Sequence, residues 1–451
     1  MKNRSMDLCS GPLLKNIILY SLPIIATGVL QLLFNAADLI VVGRYAGSIA
    51  IAAVGSTTSL INLTVNVFLG ISVGAGVLVA QGLGAKRHEE VGKVVHTALL
   101  FALVCGVVLS FIGIFLLDDC LILMGTPNEV LKLAATYIKI YFLGASSSLV
   151  YNFGASILRA TGDTKGPLIY LAISGIINVV LNLIFVIFFS MDVAGVALAT
   201  IISQTVSAVL VVRSLIHRTD ACKLYIKRLR FHKTQLIKCL KIGIPAGIQS
   251  SLFSISNVLI QSSINSFGAT VISGNAAAGN IEGFVFMAMN SFNQTALNFT
   301  GQNIGARNIE RVKKTLMYCL ICSSLVGAVL GVSCFIFGKP LLSIYITDSA
   351  AAIEYGIVRL GFVGLTYFLC GLMDTTTGAI RGMGSSFVPM IISIGGVCAL
   401  RVGIILTIFK MEQFHTLETI YISYPITWAI TFIAEFVAYL IIFKKKRKIL
   451  E

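Results

Sequence analysis

The segment VAQGLGAKRHEEVGKV (Val79–Val94) has a counterpart, TGQNIGARNIERVKKT (Thr300–Thr315), that lies 221 residues further along the chain. Two more pairs of similar segments are displaced by 222 residues. They are ILRATGDTKGP (Ile157–Pro167) with AIRGMGSSFVP (Ala379–Pro389), and SLPIIATGVLQLLFN (Ser21–Asn35) with GIPAGIQSSLFSISN (Gly243–Asn257). Three matches at nearly one displacement indicate a duplication, in which each half of the chain repeats the same structural unit.

The composition places this duplicated chain in a membrane. Of its 451 residues, 57% are hydrophobic and only 12% are charged, whereas a soluble domain carries about 25% charged residues. Twelve apolar stretches are long enough to cross a bilayer, which takes about 20 residues. They cover residues 13–42, 49–81, 94–117, 131–158, 167–190, 193–216, 238–266, 270–301, 315–337, 353–380, 387–409 and 418–443. The sequence therefore predicts an all-α integral membrane protein with twelve transmembrane helices in two pseudo-symmetric six-helix lobes.

The net charge of +15 follows from how lysine and arginine are distributed between alternate connections. If the N-terminus is cytoplasmic, 27 of these residues fall on the cytoplasmic side and 4 on the opposite side. Cytoplasmic loops of membrane proteins carry such an excess of positive charge. We therefore expect a multi-pass protein of the cytoplasmic membrane with both termini in the cytoplasm. Nucleic-acid binding is not needed to explain the charge.

The repeat sets the predicted domain boundaries. An N-lobe comprises residues 1–216 and a C-lobe comprises residues 238–443, with six spans each. The basic segment 217–237 between them is predicted to be a cytoplasmic linker, and residues 444–451 a basic cytoplasmic tail. Because each repeat has an even number of spans, both start on the same side of the membrane, as in transporters whose halves rock against each other. Duplication without transport is the alternative.

Apart from two glutamates at the very start of a span, Glu354 and Glu418, four of the nineteen acidic residues fall inside predicted spans, where a carboxylate costs about 3 kcal/mol and usually has a function. They are Asp38, Glu282, Asp374 and Glu435. On the first span, Asp38 shares a helix face with Gln31 and Asn35, because the three are spaced at i, i+4 and i+7. The carboxyl group of Asp38 can take up a proton, bind Na⁺ or attract an organic cation, and we predict that it couples ion movement to transport.

Further polar residues in the spans have a structural alternative. Asn178 and Asn182 share a face of the fifth span with Ser174, yet interhelical hydrogen bonds that hold helices together are common in membranes. Glu435 is nearer to the basic end of its span, and we expect it to pair with a side chain of Lys444–Lys448. Arg359 is expected to extend to the membrane interface.

Two prolines, Pro23 and Pro245, lie at equivalent positions of the two repeats and well inside their spans. Proline removes a backbone hydrogen bond and allows a helix to kink. A hinge and a fixed bend are both compatible with these positions.

Several of these segments resemble the multidrug and toxic compound extrusion (MATE) family, and the resemblance covers the whole chain. They are LPIIATGVLQLLFNAADLIVVGRYAG (Leu22–Gly47), the paired Q-x-x-G-A segments (Gln81–Ala85 and Gln302–Ala306), and LRATGDTKGP (Leu158–Pro167) with its echo at Arg381. The resemblance implies two six-helix lobes. It also implies export of mainly cationic organic compounds, driven by an inward flow of H⁺ or Na⁺.

The resemblance assigns roles to individual residues of the N-lobe. Asp38 falls on a first-helix aspartate that is implicated in cation coupling, and Asn178 and Thr200 fall on a polar network. The family often has a second aspartate on the fifth helix, where this chain has Asn182. An amide oxygen can bind Na⁺ but cannot titrate. Together these four residues form a candidate Na⁺ site in which Asp38 is the protonatable group.

In the C-lobe, Asp374 matches a tenth-helix aspartate of some branches of the family. Glu282 is a candidate to compensate for their seventh-helix glutamate, which is missing here. The prediction is a cation-coupled antiporter that uses H⁺ or Na⁺ to export organic, mainly cationic or otherwise amphipathic, compounds by alternating access. It requires the lipid bilayer, and we expect no cofactor besides the coupling ion and no obligate protein partner.

Other functions were weighed against this prediction. A lipid-linked saccharide flippase of the same broader superfamily is the alternative, and it predicts additional helices and a cavity rich in arginine or lysine. An ion channel or a receptor is disfavoured by the duplicated halves. An enzyme is not predicted, because the sequence has neither a nucleotide-binding P-loop nor a histidine-rich metal cluster.

Overall fold

The computed structural model describes residues 5–115, 117–123, 126–347 and 349–450. Residues 1–4 of the predicted N-lobe and residue 451 of the predicted tail lie outside the described residues. Within those ranges the regular structure is helical, with no strand. The α-helices are α1 (Leu13–Tyr45), α2 (Ser48–Gly84), α3 (His88–Phe115), α4 (Leu117–Leu123), α5 (Asn128–Leu143), α6 (Ala145–Ala160), α7 (Lys165–Leu183), α8 (Asp192–Ile216), α9 (Lys233–Asn265), α10 (Ala269–Gly305), α11 (Ile309–Ile336), α12 (Gly338–Ser343), α13 (Ala350–Arg359), α14 (Tyr367–Gly382), α15 (Phe387–Ser393), α16 (Leu400–Leu406) and α17 (Leu417–Leu450).

Short π-helical segments follow three of these helices. Ile184–Phe188 continues α7, Leu360–Gly364 continues α13, and Ile394–Ala399 joins α15 to α16. Such segments alter which side chains face a neighbouring helix.

The helices account for the predicted spans. Among the described residues, nine helices are long and apolar enough to cross a membrane. Two more spans are bent pairs, α5 with α6 at 49° and α13 with α14 at 43°. The remaining predicted span, 270–301, is α10, whose 37 residues suffice in length but whose asparagine and glycine content makes it less apolar. The predicted all-α membrane architecture is confirmed.

The two repeats have the same local structure. Helices α2 and α10 are both 37 residues long, and both begin after a glycine with positive φ, Gly47 at 88° and Gly268 at 93°. Both are followed by a basic residue with positive φ, Lys86 at 56° and Arg307 at 57°. Helices α3 and α11 then have 28 residues each. The displacement seen in the sequence therefore relates equivalent helices.

Packing divides the described residues into two compact units. The first unit comprises residues 5–7 and 29–247, and the second unit comprises residues 8–28 and 248–450. Compared with the predicted lobes, the units exchange the initial parts of α1 and α9. Each break lies a few residues after a proline inside the helix, Pro23 or Pro245. Whether the lobes move as bodies stays a prediction that packing does not test.

Within the second unit, apolar side chains face outward and charged ones are buried. On α11, Met317, Ile321, Leu325 and Val329 form an exposed stripe at four-residue spacing. Glu282, Arg401 and Glu435 are instead at most 3% exposed. This arrangement suits a protein whose outer surface contacts lipid. Helix α17 continues through Leu450, so residues 444–450 of the predicted basic tail are helical.

The segment 217–232, in the predicted linker, packs against the first unit. Arg218 Nε donates to both carboxylate oxygens of Asp220, at 2.9 and 3.0 Å, and its Nη2 donates to Ser5 Oγ at 2.8 Å. Burial alone would raise the pKa of Asp220, but the hydrogen bonds and charge of Arg218 outweigh it and lower that pKa. The Tyr225 N–H donates to His96 Nε2 at 3.1 Å. The linker is therefore a folded part of this unit.

A close approach of α2 and α9 in the first unit depends on Gly70. A Cβ atom at this position would lie 2.1 Å from the backbone nitrogen of Gly247, well inside van der Waals contact. Small residues allow helix backbones to meet in this way in membrane proteins.

We expect Gly70→Ala to lower the melting temperature of the purified protein, because overpacking a helix contact costs about 1–3 kcal/mol. Gly55→Ala is the matched control on the same helix, since a Cβ atom there has nothing within 4 Å. Thermal unfolding of both variants in one detergent measures the difference. Equal melting temperatures would contradict the packing of α2 on α9.

Candidate functional site

The polar site of the first unit forms where α1 packs against α7. A Cβ atom at Gly175 would lie 1.8 Å from Cε2 of Phe34, so the glycine allows the two helices to touch. Asp38 is one turn after Phe34, and Asn182 is two turns after Gly175, so both lie on the faces in contact. Asn182 Nδ2 donates a hydrogen bond of 2.5 Å to Asp38 Oδ1.

A chain of amides continues from this contact. Asn182 Nδ2 also donates to Asn178 Oδ1 at 3.4 Å, and Asn178 Nδ2 donates to Thr200 Oγ1 at 3.5 Å. Thr200 Oγ1 in turn donates to the carbonyl oxygen of Val196 at 2.9 Å. The structure thus brings together the four residues of the candidate Na⁺ site, although the two amide contacts are at the long limit for a hydrogen bond.

Asn182 leaves one atom unsatisfied in this network. Its Nδ2 group donates twice, but its Oδ1 atom is enclosed and has no hydrogen-bond partner among the described residues. A buried acceptor without a donor costs about 1–3 kcal/mol. Since this oxygen adjoins the carboxylate of Asp38, the site suits an added cation or the proton of a neutral carboxyl group.

The opposite side of Asp38 is more open. Asp38 itself is half-buried, while Gln31 and Asn35 are exposed on the same face of α1. Tyr137 and Tyr141 lie close enough to Asp38 to interact with its charge. Asp38 therefore lies between a buried amide network and an exposed polar helix face.

A second carboxylate site lies in the second unit. Glu435 is completely buried on α17 and accepts hydrogen bonds from Thr377 Oγ1 at 2.7 Å and from Ser393 Oγ at 2.6 Å. Asp374, one turn before Thr377, lies close enough to interact with it electrostatically. The prediction that Glu435 pairs with the basic end of α17 is wrong, because its side chain points toward α14 and α15.

Arg381 completes this group of charges. Its Nη2 donates to Gln249 Oε1 at 2.7 Å, and its enclosed Nε has no partner among the described residues. It interacts electrostatically with both Asp374 and Glu435. Two ionised carboxylates and one guanidinium carry a net charge of −1, which one bound proton would neutralise.

Glu282 lies in a different environment, a buried ion pair with Arg359. Arg359 Nε donates to Glu282 Oε1 at 3.0 Å and Nη2 donates to Oε2 at 2.7 Å, while Nη1 donates to Asn275 Oδ1 at 2.6 Å. The arginine side chain is 11% exposed, so the prediction that it extends to the interface is wrong. The structure does not join Glu282 to Asp374, and a coupling role for Glu282 stays a prediction.

Sequence reasoning missed several members of these sites. No motif indicated that Tyr137 and Tyr141 lie close enough to Asp38 to interact with its charge, and the two hydroxyls that hold Glu435 come from separate helices. A usable signal was present for Arg381, a charged residue near the start of the repeated segment Ala379–Pro389.

The chain is duplicated and all-helical, with apolar outer surfaces. Inside each unit, carboxylates are held in polar networks. This is the construction of a polytopic membrane transporter. The family model described as MatE matches residues 23–184 and 245–407, once in each repeat. The chain belongs to the MatE family of membrane transporters.

Individual relatives agree with this assignment. The probable multidrug resistance protein YoeA of Bacillus subtilis is 29% identical over 444 residues, which cover 96% of this chain and 95% of that protein. The FAD transporter of Shewanella oneidensis is 26% identical over 356 residues, or 77% of each chain. The solved outward-facing structure of a multidrug resistance MATE family transporter has a TM-score of 0.92 at 22% identity, covering 99% of this chain and 100% of that one. This last similarity concerns the fold.

Proposed function

We propose that the protein is a cation-coupled antiporter that exports small organic, mainly cationic, compounds across the cytoplasmic membrane by alternating access. Both termini lie in the cytoplasm in this proposal, and H⁺ or Na⁺ moves inward. The observation that carries it is the contact of Asp38 with the buried, unsatisfied amide of Asn182. The relative YoeA, named as a probable multidrug resistance protein, supports export of drug-like compounds.

The geometry around Asp38 suggests how an ion and a cargo compete. An ionised Asp38 accepts a hydrogen bond from Asn182 and presents its charge toward the exposed face of α1. A protonated Asp38 becomes a donor, and Asn182 Oδ1, an acceptor without a partner among the described residues, can receive its hydrogen bond once the amide turns. Either protonation or Na⁺ binding neutralises the charge that holds an organic cation.

A Na⁺ ion would find suitable ligands in the same network. The carboxylate of Asp38, the amide oxygens of Asn178 and Asn182, and the hydroxyl of Thr200 are all hard oxygen donors. Because Asn182 replaces a carboxylate, the site carries one negative charge, which one proton or one Na⁺ balances. We therefore propose one coupling charge per cycle at this site.

One charge is sufficient for useful accumulation. Exchange of one H⁺ or Na⁺ for one monovalent organic cation moves no net charge, so the concentration gradient of the ion drives it. A tenfold ion gradient supplies about 1.4 kcal/mol, which corresponds to a concentration ratio of about 10 for the cargo. An ion shifts the transporter between states only through a difference in its affinity for them. In this proposal Asp38 supplies that difference, because its charge is exposed to cargo in one state and neutralised in the other.

The prolines are proposed to be hinges. Pro23 and Pro245 each precede the point where a continuous helix passes from one compact unit to the other. A missing backbone hydrogen bond at that place lowers the cost of bending. Each helix could then bend at its proline while its two parts stay packed in different units.

The second unit offers a further carboxylate site. Asp374 with Glu435 and Arg381 can exchange one proton between a charged and a neutral state. We propose it as a secondary coupling site, and Glu282 takes part in it only if its pair with Arg359 opens.

Transport in inside-out proteoliposomes tests the function. Uptake of ethidium, an organic cation, is followed with a pH gradient and a Na⁺ gradient imposed separately. We expect one gradient to drive accumulation and its collapse to abolish it. Absence of ethidium uptake under either gradient, with a lipid-linked saccharide translocated instead, would replace the antiporter by the flippase alternative.

A further inference from the structure

Arg401, in α16 of the second unit, is a buried cation held by aromatic rings. It is 2% exposed, and its guanidinium carbon lies 4.0 Å from the ring centre of Tyr424 and 5.7 Å from that of Trp428. The flat face of a guanidinium stacks well on such rings. The arginine is therefore fixed in orientation by its surroundings.

No carboxylate compensates this charge. Among the described residues, no Asp or Glu oxygen lies within ion-pair distance of Arg401. Glu282 is already bonded to Arg359, whose guanidinium carbon also lies over the ring of Tyr424, 5.7 Å from its centre. Arg359, Glu282 and Arg401 together carry a net charge of +1. A buried, unpaired charge inside a membrane helix bundle is costly and usually functional.

Part of the hydrogen-bonding capacity of Arg401 is unused. Nε and Nη2 each donate to Thr427 Oγ1, at 3.2 and 2.7 Å. A guanidinium has five N–H donors, so three remain, one on Nη2 and two on Nη1. Nη1 has no partner among the described residues, and it is not one of the fully enclosed atoms without a partner. The Nη1–Nη2 edge therefore presents the paired donors that bind an oxyanion.

The two rings over Arg401 belong to a larger group of packed aromatic side chains. Trp428 packs against Tyr367 with ring centres 5.1 Å apart, and against Tyr424 at 5.6 Å. Both tyrosines are half-buried. Rings next to an oriented guanidinium favour an apolar, flat group attached to the anion.

We propose that Arg401, Tyr424 and Trp428 form a binding site for an anionic group, a carboxylate, sulfonate or phosphate, carried by an amphipathic molecule. The source of the anion is either a solute or the headgroup of an anionic lipid. The site goes beyond the export of cations, and it does not depend on Asp38 or on ion coupling. It gives the protein a means to bind zwitterionic or anionic molecules.

The single tryptophan of the chain makes this site measurable, because Trp428 lies next to Arg401. Quenching of its emission is titrated with 4-nitrobenzoate and with the neutral isostere 4-nitrobenzamide, on the full-length protein in an uncharged detergent. Since charge-assisted hydrogen bonds distinguish the two probes, we expect the anion to bind about tenfold more tightly. Equal affinities would overturn the proposal.

Variants assign the preference to the guanidinium. We expect Arg401→Gln to bring the affinities for 4-nitrobenzoate and 4-nitrobenzamide to within about twofold of each other. Arg401→Lys should keep part of the preference, because lysine retains the charge but lacks the paired donors of the guanidinium. Lys410→Gln, which removes an exposed charge beyond α16, should leave the preference unchanged. A folded Arg401→Gln variant that still prefers the anion overturns the proposal. If the Arg401→Gln variant does not fold, the Arg401→Lys variant is decisive. Full preference for the anion in that variant overturns the proposal.

The source of the anion is decided in nanodiscs. The titration is repeated in phosphatidylcholine alone and with added phosphatidylglycerol. Displacement of 4-nitrobenzoate by phosphatidylglycerol identifies the lipid phosphate as the anion, and binding that is indifferent to it identifies a solute. Because binding is read without any gradient, failure of this test and failure of the antiporter proposal are separate results.

Discussion

Asp38→Asn is expected to reduce accumulation of an organic cation under a tenfold ion gradient from about tenfold to the level of empty vesicles. The amide keeps the size of the side chain and can still hydrogen-bond to Asn182, but it neither takes up a proton nor carries the charge that attracts the cargo. The measurement is uptake of ethidium into inside-out proteoliposomes under the gradient that drives the wild type. The amount of protein in each preparation is matched by size-exclusion chromatography.

Two further variants make this result specific. Asp119→Asn is the same substitution at an exposed position of α4, and we expect it to transport as the wild type does. The double variant Asp38→Asn with Asn182→Asp moves the carboxylate to the other side of the 2.5 Å contact, and we expect it to recover part of the uptake. Wild-type accumulation by Asp38→Asn alone would move coupling to Asp374 and Glu435.

Glu282→Gln is expected to give the largest loss of stability, about 3–5 kcal/mol, because it leaves the guanidinium of Arg359 buried without a counter-charge. The pair is bidentate, and its side chains are only 11% and 4% exposed. Thermal unfolding of the purified protein should show a large fall in melting temperature. The double variant with Arg359→Gln should recover part of this fall, because it removes the uncompensated charge.

An exposed pair in the same chain provides the control. Lys93 and Glu89 approach to 2.6 Å, but their side chains are 38% and 84% exposed. Water screens such pairs, so Glu89→Gln should leave the melting temperature unchanged. If both substitutions had the same effect, the pair of Glu282 with Arg359 would not be a buried structural contact.

For the carboxylates Glu282 and Glu435, the sequence predicts a position inside the membrane but not the partner. Both were recognised as intramembrane acids, since their cost in lipid follows from residue type and hydropathy alone. Their partners were not recognised. Arg359 is 77 residues from Glu282, and Thr377 is 58 residues from Glu435. Which acid is neutralised by arginine, and which is held by hydroxyls, depends on how helices pack.

The site around Asp38 was predicted more fully because part of it is local. Gln31 and Asn35 share its helix face through the 3.6-residue period, and the resemblance to the MATE family supplied Asn178 and Thr200. The sequence did not indicate that Gly175 lets α7 reach Phe34, nor that Asn182 Oδ1 has no hydrogen-bond partner among the residues that the structure describes. These are consequences of side-chain packing between segments that are more than a hundred residues apart.

The sequence by itself determined the class of protein, the duplication and most helix positions. Membrane spans are found from the hydropathy of about 20 neighbouring residues, and the duplication is found by comparing two segments of sequence. Neither requires knowledge of tertiary contacts. Tertiary structure alone decided the exchange of the initial parts of α1 and α9 between the units, the pairing of Glu282, and which donors of Arg401 stay unused among the described residues. Each depends on which distant side chains share a small volume, because the charge and hydrogen bonding of a buried group are set by the atoms within a few ångströms of it.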